Sequence, residues 1–309
     1  MMNKKYLRLS PKAIIIILGL MLLILAVISF IGGSVGSLIR GKEPLTIFAV
    51  NAPHPLLPAE RPFSNPIITN TILASWISIL GLLGLFFAAS RKMTLIPHGL
   101  QNFVEFIYET AGNFAEGMAG KKWGRVFLPV CLTIFLFVLA NSWISLIPGF
   151  ESIKMNGMPL FRNANTDINV PLMLALTSVI AIEYWSFKAK GFKYLAKFFN
   201  FMPLVRGLHQ LFVGKFKAGA GGIFNGIIAV FVGLLEIISE LVRIVSFTFR
   251  LFGNMTAGVI LISAIIFIVP WVIPAMFYGL ETLVGFIQAL IFAGLTLGFA
   301  CAAVMDTIE

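Results

Sequence analysis

Between Ala220 and Val269 an apolar, proline-free stretch carries Glu236, Glu240, Arg243, Arg250 and Asn254. At about 100° per residue these five positions fall within ~80° of one another on a helix. Asn225 joins the same face. An ionisable group costs roughly 3 kcal/mol near a bilayer centre, so such a stripe is a candidate ion path. Glu240 and Arg243 stand at i, i+3 and can equally form a buried pair that ties helices together. That account does not reach Arg250, whose nearest acid in sequence is ten residues away. A guanidinium stays charged at neutral pH and relays no proton. The role open to Arg250 is electrostatic: a fixed positive charge that draws a passing carboxylate into its ionised form and blocks a proton short circuit.

The last apolar segment carries Glu281 and Gln288, seven residues apart and so ~20° apart on one helix face. A carboxylate and an amide lining a wet cavity are parts of a proton path, in which the acid exchanges the proton and the amide orients water. Gln288 can instead make an interhelical hydrogen bond, worth ~0.6 kcal/mol on average. Glu281 can instead sit at the membrane interface.

Other chemistry finds no residues. There is no GxxxxGK[ST] phosphate loop, no HExxH and no Cys/His cluster at ligand spacing, so no cofactor and no metal are expected. His98 follows Pro97 and reads as polar trim at a helix start. Cys131 and Cys301 lie within apolar runs and read as small core residues rather than a disulfide.

The elements that must position these residues are membrane helices. Hydrophobic residues make up 59% of the chain and charged ones 12%, against roughly 25% charged in soluble domains. The net charge of +10 does not point to nucleic acid, because the basic residues flank apolar spans without aromatic interleaving on a soluble domain. Apolar runs are expected to cross at 13–39, 70–89, 126–147 and 169–187, followed by the long fifth segment and a last helix from 275 to 306. A basic N-terminus precedes the first run, which reads as a retained helix, with cleavage as a signal peptide left open. A proline-rich external loop covers 40–69, and 150–167 reads as a polar loop. His98 to Ala119 has helical spacing of Gln101, Asn102, Glu105, Glu109 and Glu116 opposite Phe103, Phe106, Ile107 and Phe114. That predicts an amphipathic helix at the interface or across the bundle.

Six crossings from a cytoplasmic N-terminus place four basic residues before Ala13, five between Arg91 and Arg125 and seven between Lys188 and Lys217 on the inside. Five (Arg40, Lys42, Arg61, Lys154 and Arg162) fall outside, the asymmetry that the positive-inside rule requires. Both termini are then cytoplasmic. The fifth segment, fifty residues, would measure ~75 Å as a helix, against a hydrocarbon core of ~30 Å. It must break near Gly253 or Gly258, or lie steeply inclined. With the equally overlong last helix it suggests a slanted hairpin facing something large.

Four motifs carry a resemblance. RLFGNMTAG at 250–258 and FIQALIF at 286–292 resemble signatures of subunit a of the F-type ATP synthase. ANSWISLIPGF at 140–150 and TDINVPLMLAL at 166–176 are similar to that family's third-span ending and next-span entry. The similarity runs in order from about Asn65 to Met305. It implies an all-α membrane protein of about six membrane-inserted segments, the last two inclined as a hairpin against a rotor ring. Domains then divide as an N-terminal helix (1–39), the external loop (40–69) and a subunit-a-like membrane domain (70–309). By resemblance Arg250 is the arginine facing the c-ring. Asn254, Glu281 and Gln288 match the half-channel open to the outside, Glu236 and Ser239 the inner half-channel, and Asn141 the third-span asparagine. The implied partners are the c-ring, the peripheral-stalk b subunits, the lipid bilayer and the transported proton, in the cell (plasma) inner membrane. One departure stands out: a position that often holds a carboxylate or histidine in the family is Val259 here, leaving Glu281 as the titrating group of the outer path. The expected function is a non-catalytic, proton-translocating stator subunit. The rival is a self-contained cation/proton antiporter using the same Arg and Glu residues.

Overall fold

A computed structural model describes residues 11–41, 50, 59–63, 68–91, 93–147, 149–155, 157–198, 201–212 and 216–305. The described residues are mostly α-helical, with short 3₁₀ turns and one two-residue strand pair. Helices α1 (Pro11–Gly32) and α2 (Ser34–Arg40) come first, then α3 (Asn70–Ser90) and α4 (Leu100–Ser145). Strands β1 (Lys154–Met155) and β2 (Met158–Pro159) pair antiparallel within the segment expected to be a loop. Then follow α5 (Asn169–Lys190), α6 (Met202–Phe212), α7 (Phe216–Ile268) and α8 (Ile273–Met305). Among the described residues six helices are long and apolar enough to cross a membrane, α1, α3, α4, α5, α7 and α8. Most of the proline-rich loop and the basic N-terminus lie outside the described residues.

The amphipathic stretch and the third span are two helices, as expected, that meet within α4 at a kink where Gly120 leaves helical angles (φ 72°, ψ 165°). Glycine takes that left-handed angle without a Cβ clash. On the near side of the kink the aromatic face points outward, with Phe103 and Phe106 exposed, while Ala115 and Ala119 are buried. The fifth segment has no break: α7 is helical through Gly253 and Gly258 for 53 residues, ~80 Å at 1.5 Å per residue.

The chain falls into two compact units, residues 1–57 with 254–284, and residues 58–253 with 285–309. In the second unit α3 packs along α4, and α5 and α8 complete a core around Phe127, Ile182, Trp185, Leu297 and Val304. Phe127 and Trp185 have ring centroids 4.6 Å apart. There α7 meets α8 in antiparallel sense, Arg243 lying over the Phe299 ring and Phe247 against Phe292. In the first unit, Trp271 in the turn between α7 and α8 donates its backbone N–H to Ser29 Oγ on α1 at 3.1 Å. Val272 takes a positive φ of 72° in that turn, and α8 starts two residues before Ala275.

Candidate functional site

Arg250 is half-buried on α7, beside the buried Leu251 and the exposed Phe249. Among the described residues no carboxylate forms an ion pair with it, whereas Glu236, Glu240 and Arg243 on the same helix are all paired. The stripe read from the sequence therefore divides into a paired N-terminal part, at Glu236 to Arg243, and an arginine without such a pair among the described residues.

In the unit containing residues 254–284, Glu281 is 7% exposed. Its Oε1 makes no hydrogen bond among the described residues, nor does the buried hydroxyl of Thr256. A buried polar atom without a partner is costly and uncommon. Room for the carboxyl group comes from Gly258: a Cβ there would fall on Glu281 itself. Asn254 is exposed and Val259 half-buried. Gln288 belongs to the other unit, where it is buried one turn from Gly285. That glycine lets α8 approach α4 so closely that a Cβ would stand 2.8 Å from Ser142 Cβ.

The same unit holds a cavity of about 480 Å³, lined by Tyr194, Lys197, Glu236, Glu240, Arg243 and Phe299 among others. Lys197 Nζ lies 2.5 Å from Glu236 Oε1 and 3.6 Å from Glu240 Oε1. Arg243 Nη1 donates to Glu240 Oε2 at 2.6 Å, and its guanidinium stacks 4.1 Å from the Phe299 ring centroid. Tyr194 donates its hydroxyl to Glu183 Oε1 at 3.0 Å. Burial, then that hydrogen bond, push the phenol well above its usual range, so it stays a donor. Ser239, grouped with Glu236 by resemblance, is exposed and does not line this cavity.

Comparison with known proteins identifies the family. The profile of the family described as ATP synthase A chain matches residues 72–300. The ATP synthase subunit a of Gloeobacter violaceus is 31% identical over 238 residues, covering 76% of this chain and 84% of the relative. The chain belongs to the ATP synthase A chain family. It is a non-catalytic, multi-pass membrane subunit. The match begins within α3, so α1 and α2 lie outside it.

Within the family region, Asn141 has a packing geometry that its sequence did not reveal. It is 2% exposed, accepts from Ser78 Oγ at 2.8 Å and donates to the Phe137 carbonyl at 3.0 Å, stapling α3 to α4. It is part of a polar seam at one end of these helices. Thr71 donates to Asp167 Oδ2 at 2.9 Å, and Asn165 donates to Ser142 Oγ at 3.1 Å. Asp167 Oδ1 also accepts from the Asn169 backbone N–H at 3.1 Å, satisfying an orphan donor at the start of α5. The Asp-x-Asn-Val motif thus anchors a helix start. Sequence reasoning missed Lys197, Tyr194 and Gly258. Lys197 entered only as one of the basic residues used to set topology, and Gly258 only as a candidate break and the last residue of the arginine motif.

Proposed function

We propose that this chain is the stator subunit that conducts protons past the c-ring of a rotary ATP synthase, by two half-paths offset across Arg250. Protons enter from outside by way of Asn254, Glu281 and Gln288 and neutralise a rotor carboxylate. Rotation carries that group through lipid to the inner half-path at Glu236 and Ser239, where it releases its proton before meeting Arg250. Asn141 holds α3 and α4 in place beside the path. The overlong α7 and α8 lie inclined against the ring, peripheral-stalk b subunits hold the chain still, and both termini face the cytoplasm of a cell-membrane enzyme. Residues 70–309 form the conducting domain, with the N-terminal helix and external loop before it. Each proton falling through 100 mV supplies ~2.3 kcal/mol.

The observation that carries this reading is Arg250. A membrane-embedded guanidinium without a carboxylate partner among the described residues is expensive, and a carboxylate from a second chain supplies the missing charge. Arginine meets a carboxylate with two parallel N–H donors, and a lysine cannot reproduce that fork. The test is ATP-driven pumping and passive proton conductance in inverted vesicles. Arg250→Lys and Arg250→Ala should both assemble and fail to pump, and Arg250→Ala should also leak. Arg243→Ala, which loses an intrachain pair, should retain partial activity. Substantial pumping by assembled Arg250→Ala would remove the central residue from the mechanism.

A further inference from the structure

The connection from α5 to α6 contains a 3₁₀ turn, Gly191–Lys197. In a 3₁₀ helix residues i and i+3 eclipse, so Tyr194 and Lys197 project from the same side. The Lys197 ammonium lies 5.5 Å from the ring centroids of both Tyr194 and Phe198, within cation–π range. Tyr194 is itself tied to Glu183 on α5. The lysine is thus aimed before it meets any carboxylate.

A second contact brings this turn onto α7. A Cβ on Gly233 would fall on the Phe198 carbonyl, with the Lys197 carbonyl 3.6 Å away. The glycine lets the turn's backbone lie against the helix one turn before Glu236. Glu236 and Glu240 are i, i+4 neighbours on α7, where two carboxylates repel. Lys197 reaches both, while Arg243 holds only Glu240. The charged and titratable groups lining the cavity are Lys190 from α5, Tyr194 and Lys197 from the turn, and Glu236, Glu240 and Arg243 from α7; Glu183 on α5 stands behind Tyr194 and accepts from its hydroxyl.

We infer that Lys197 is a positioning residue of the inner proton path: from its aromatic cradle it holds the Glu236 carboxylate in the cavity and keeps it apart from Glu240. This rests on the reading of Glu236 as part of the inner half-path. The lysine touches no rotor group; it acts through Glu236.

The assembled ATP synthase, in inverted vesicles, is the test system, with proton pumping as the readout. Lys197 is 36% exposed at its side chain, and a pair this open to solvent is worth at most ~1 kcal/mol, so Lys197→Ala should slow pumping by about fivefold. Lys197→Arg should restore most of the rate. Added n-propylammonium should also raise pumping of Lys197→Ala, because the cavity has room for it, while tetramethylammonium should not. In a Glu236→Gln background Lys197→Ala should have no further effect. Gly233→Ala provides a second route: it pushes the turn off α7 with Lys197 intact, and should slow pumping similarly. If Lys197→Ala pumps normally, or its loss persists unchanged in Glu236→Gln and resists propylammonium, the positioning role is overturned. If Glu236→Gln itself pumps at the wild-type rate, the inner path does not run through Glu236 and the underlying reading fails instead.

Discussion

Gly258→Ala separates the placement of Glu281 from its chemistry. Alanine favours the helix over glycine by about 0.8–1 kcal/mol, so the backbone of α7 tolerates the change. The added methyl, however, lands on the end of the Glu281 side chain, which supplies all three of its nearest neighbours. A carboxyl group yields by rotation, at about 0.5–1.5 kcal/mol for an off-rotamer χ. Overpacking that meets a flexible tip should fall near the low end of its usual ~1–3 kcal/mol. These terms oppose the helix gain and leave net stability within ~2 kcal/mol of the parent, so the complex should assemble. Function should respond far more. The carboxyl group must move by roughly 1 Å, and a misplacement of that size can cost up to ~10²-fold in a positioned reaction. Proton flux should fall at least about tenfold, equivalent to ~1.4 kcal/mol. Gly279→Ala is the matched control, two residues before Glu281 on α8, with nothing within 4 Å of the new Cβ. ATP-driven pumping and subunit content are measured in the same vesicles. Wild-type pumping by assembled Gly258→Ala, or equal damage from Gly279→Ala, would refute the idea that this glycine makes room for the proton-path acid.

Glu281→Gln should nearly abolish coupled flux, because Val259 cannot titrate, while Val259→Glu should be tolerated with at most a changed pH profile; near-normal pumping by Glu281→Gln would send the outer path elsewhere. Asn141→Ala should cost stability rather than chemistry, on the order of 0.6–2 kcal/mol for an interhelical polar contact, read as lower thermal retention of the complex in detergent. Ser78 keeps its 3.2 Å bond to the Ala74 carbonyl in that variant, which limits the loss; an unaltered stability with lost pumping would instead place Asn141 in the path. Arg206→Cys, on α6, should escape an impermeant thiol reagent in sealed right-side-out cells and react in inverted vesicles if the positive-inside rule sets the orientation; the opposite pattern would reverse the topology.

The spans, the unusual length of the last two and the isolation of Arg250 were all legible in the sequence. Each rests on local quantities: hydropathy summed along a run, rise per residue, and angle per residue around one helix axis. Reading 98–119 needed one more fact than periodicity supplies. An amphipathic pattern says that two faces differ, but not which one is outward, and where the surroundings are lipid the aromatic face can be the exposed one. Asn141 was picked out by its motif, yet its bonds to Ser78 and Phe137 follow from how α3 lies on α4. What only the tertiary structure decided are the pairings across long separations. Thr71 meets Asp167 across 96 residues, Glu281 fits over Gly258, and Lys197 reaches Glu236 because a 3₁₀ turn and a glycine bring two backbones together. Charge and spacing along the chain do not encode such meetings. They depend on where a Cβ is missing and which carbonyl takes its place, and that is settled only when the helices pack.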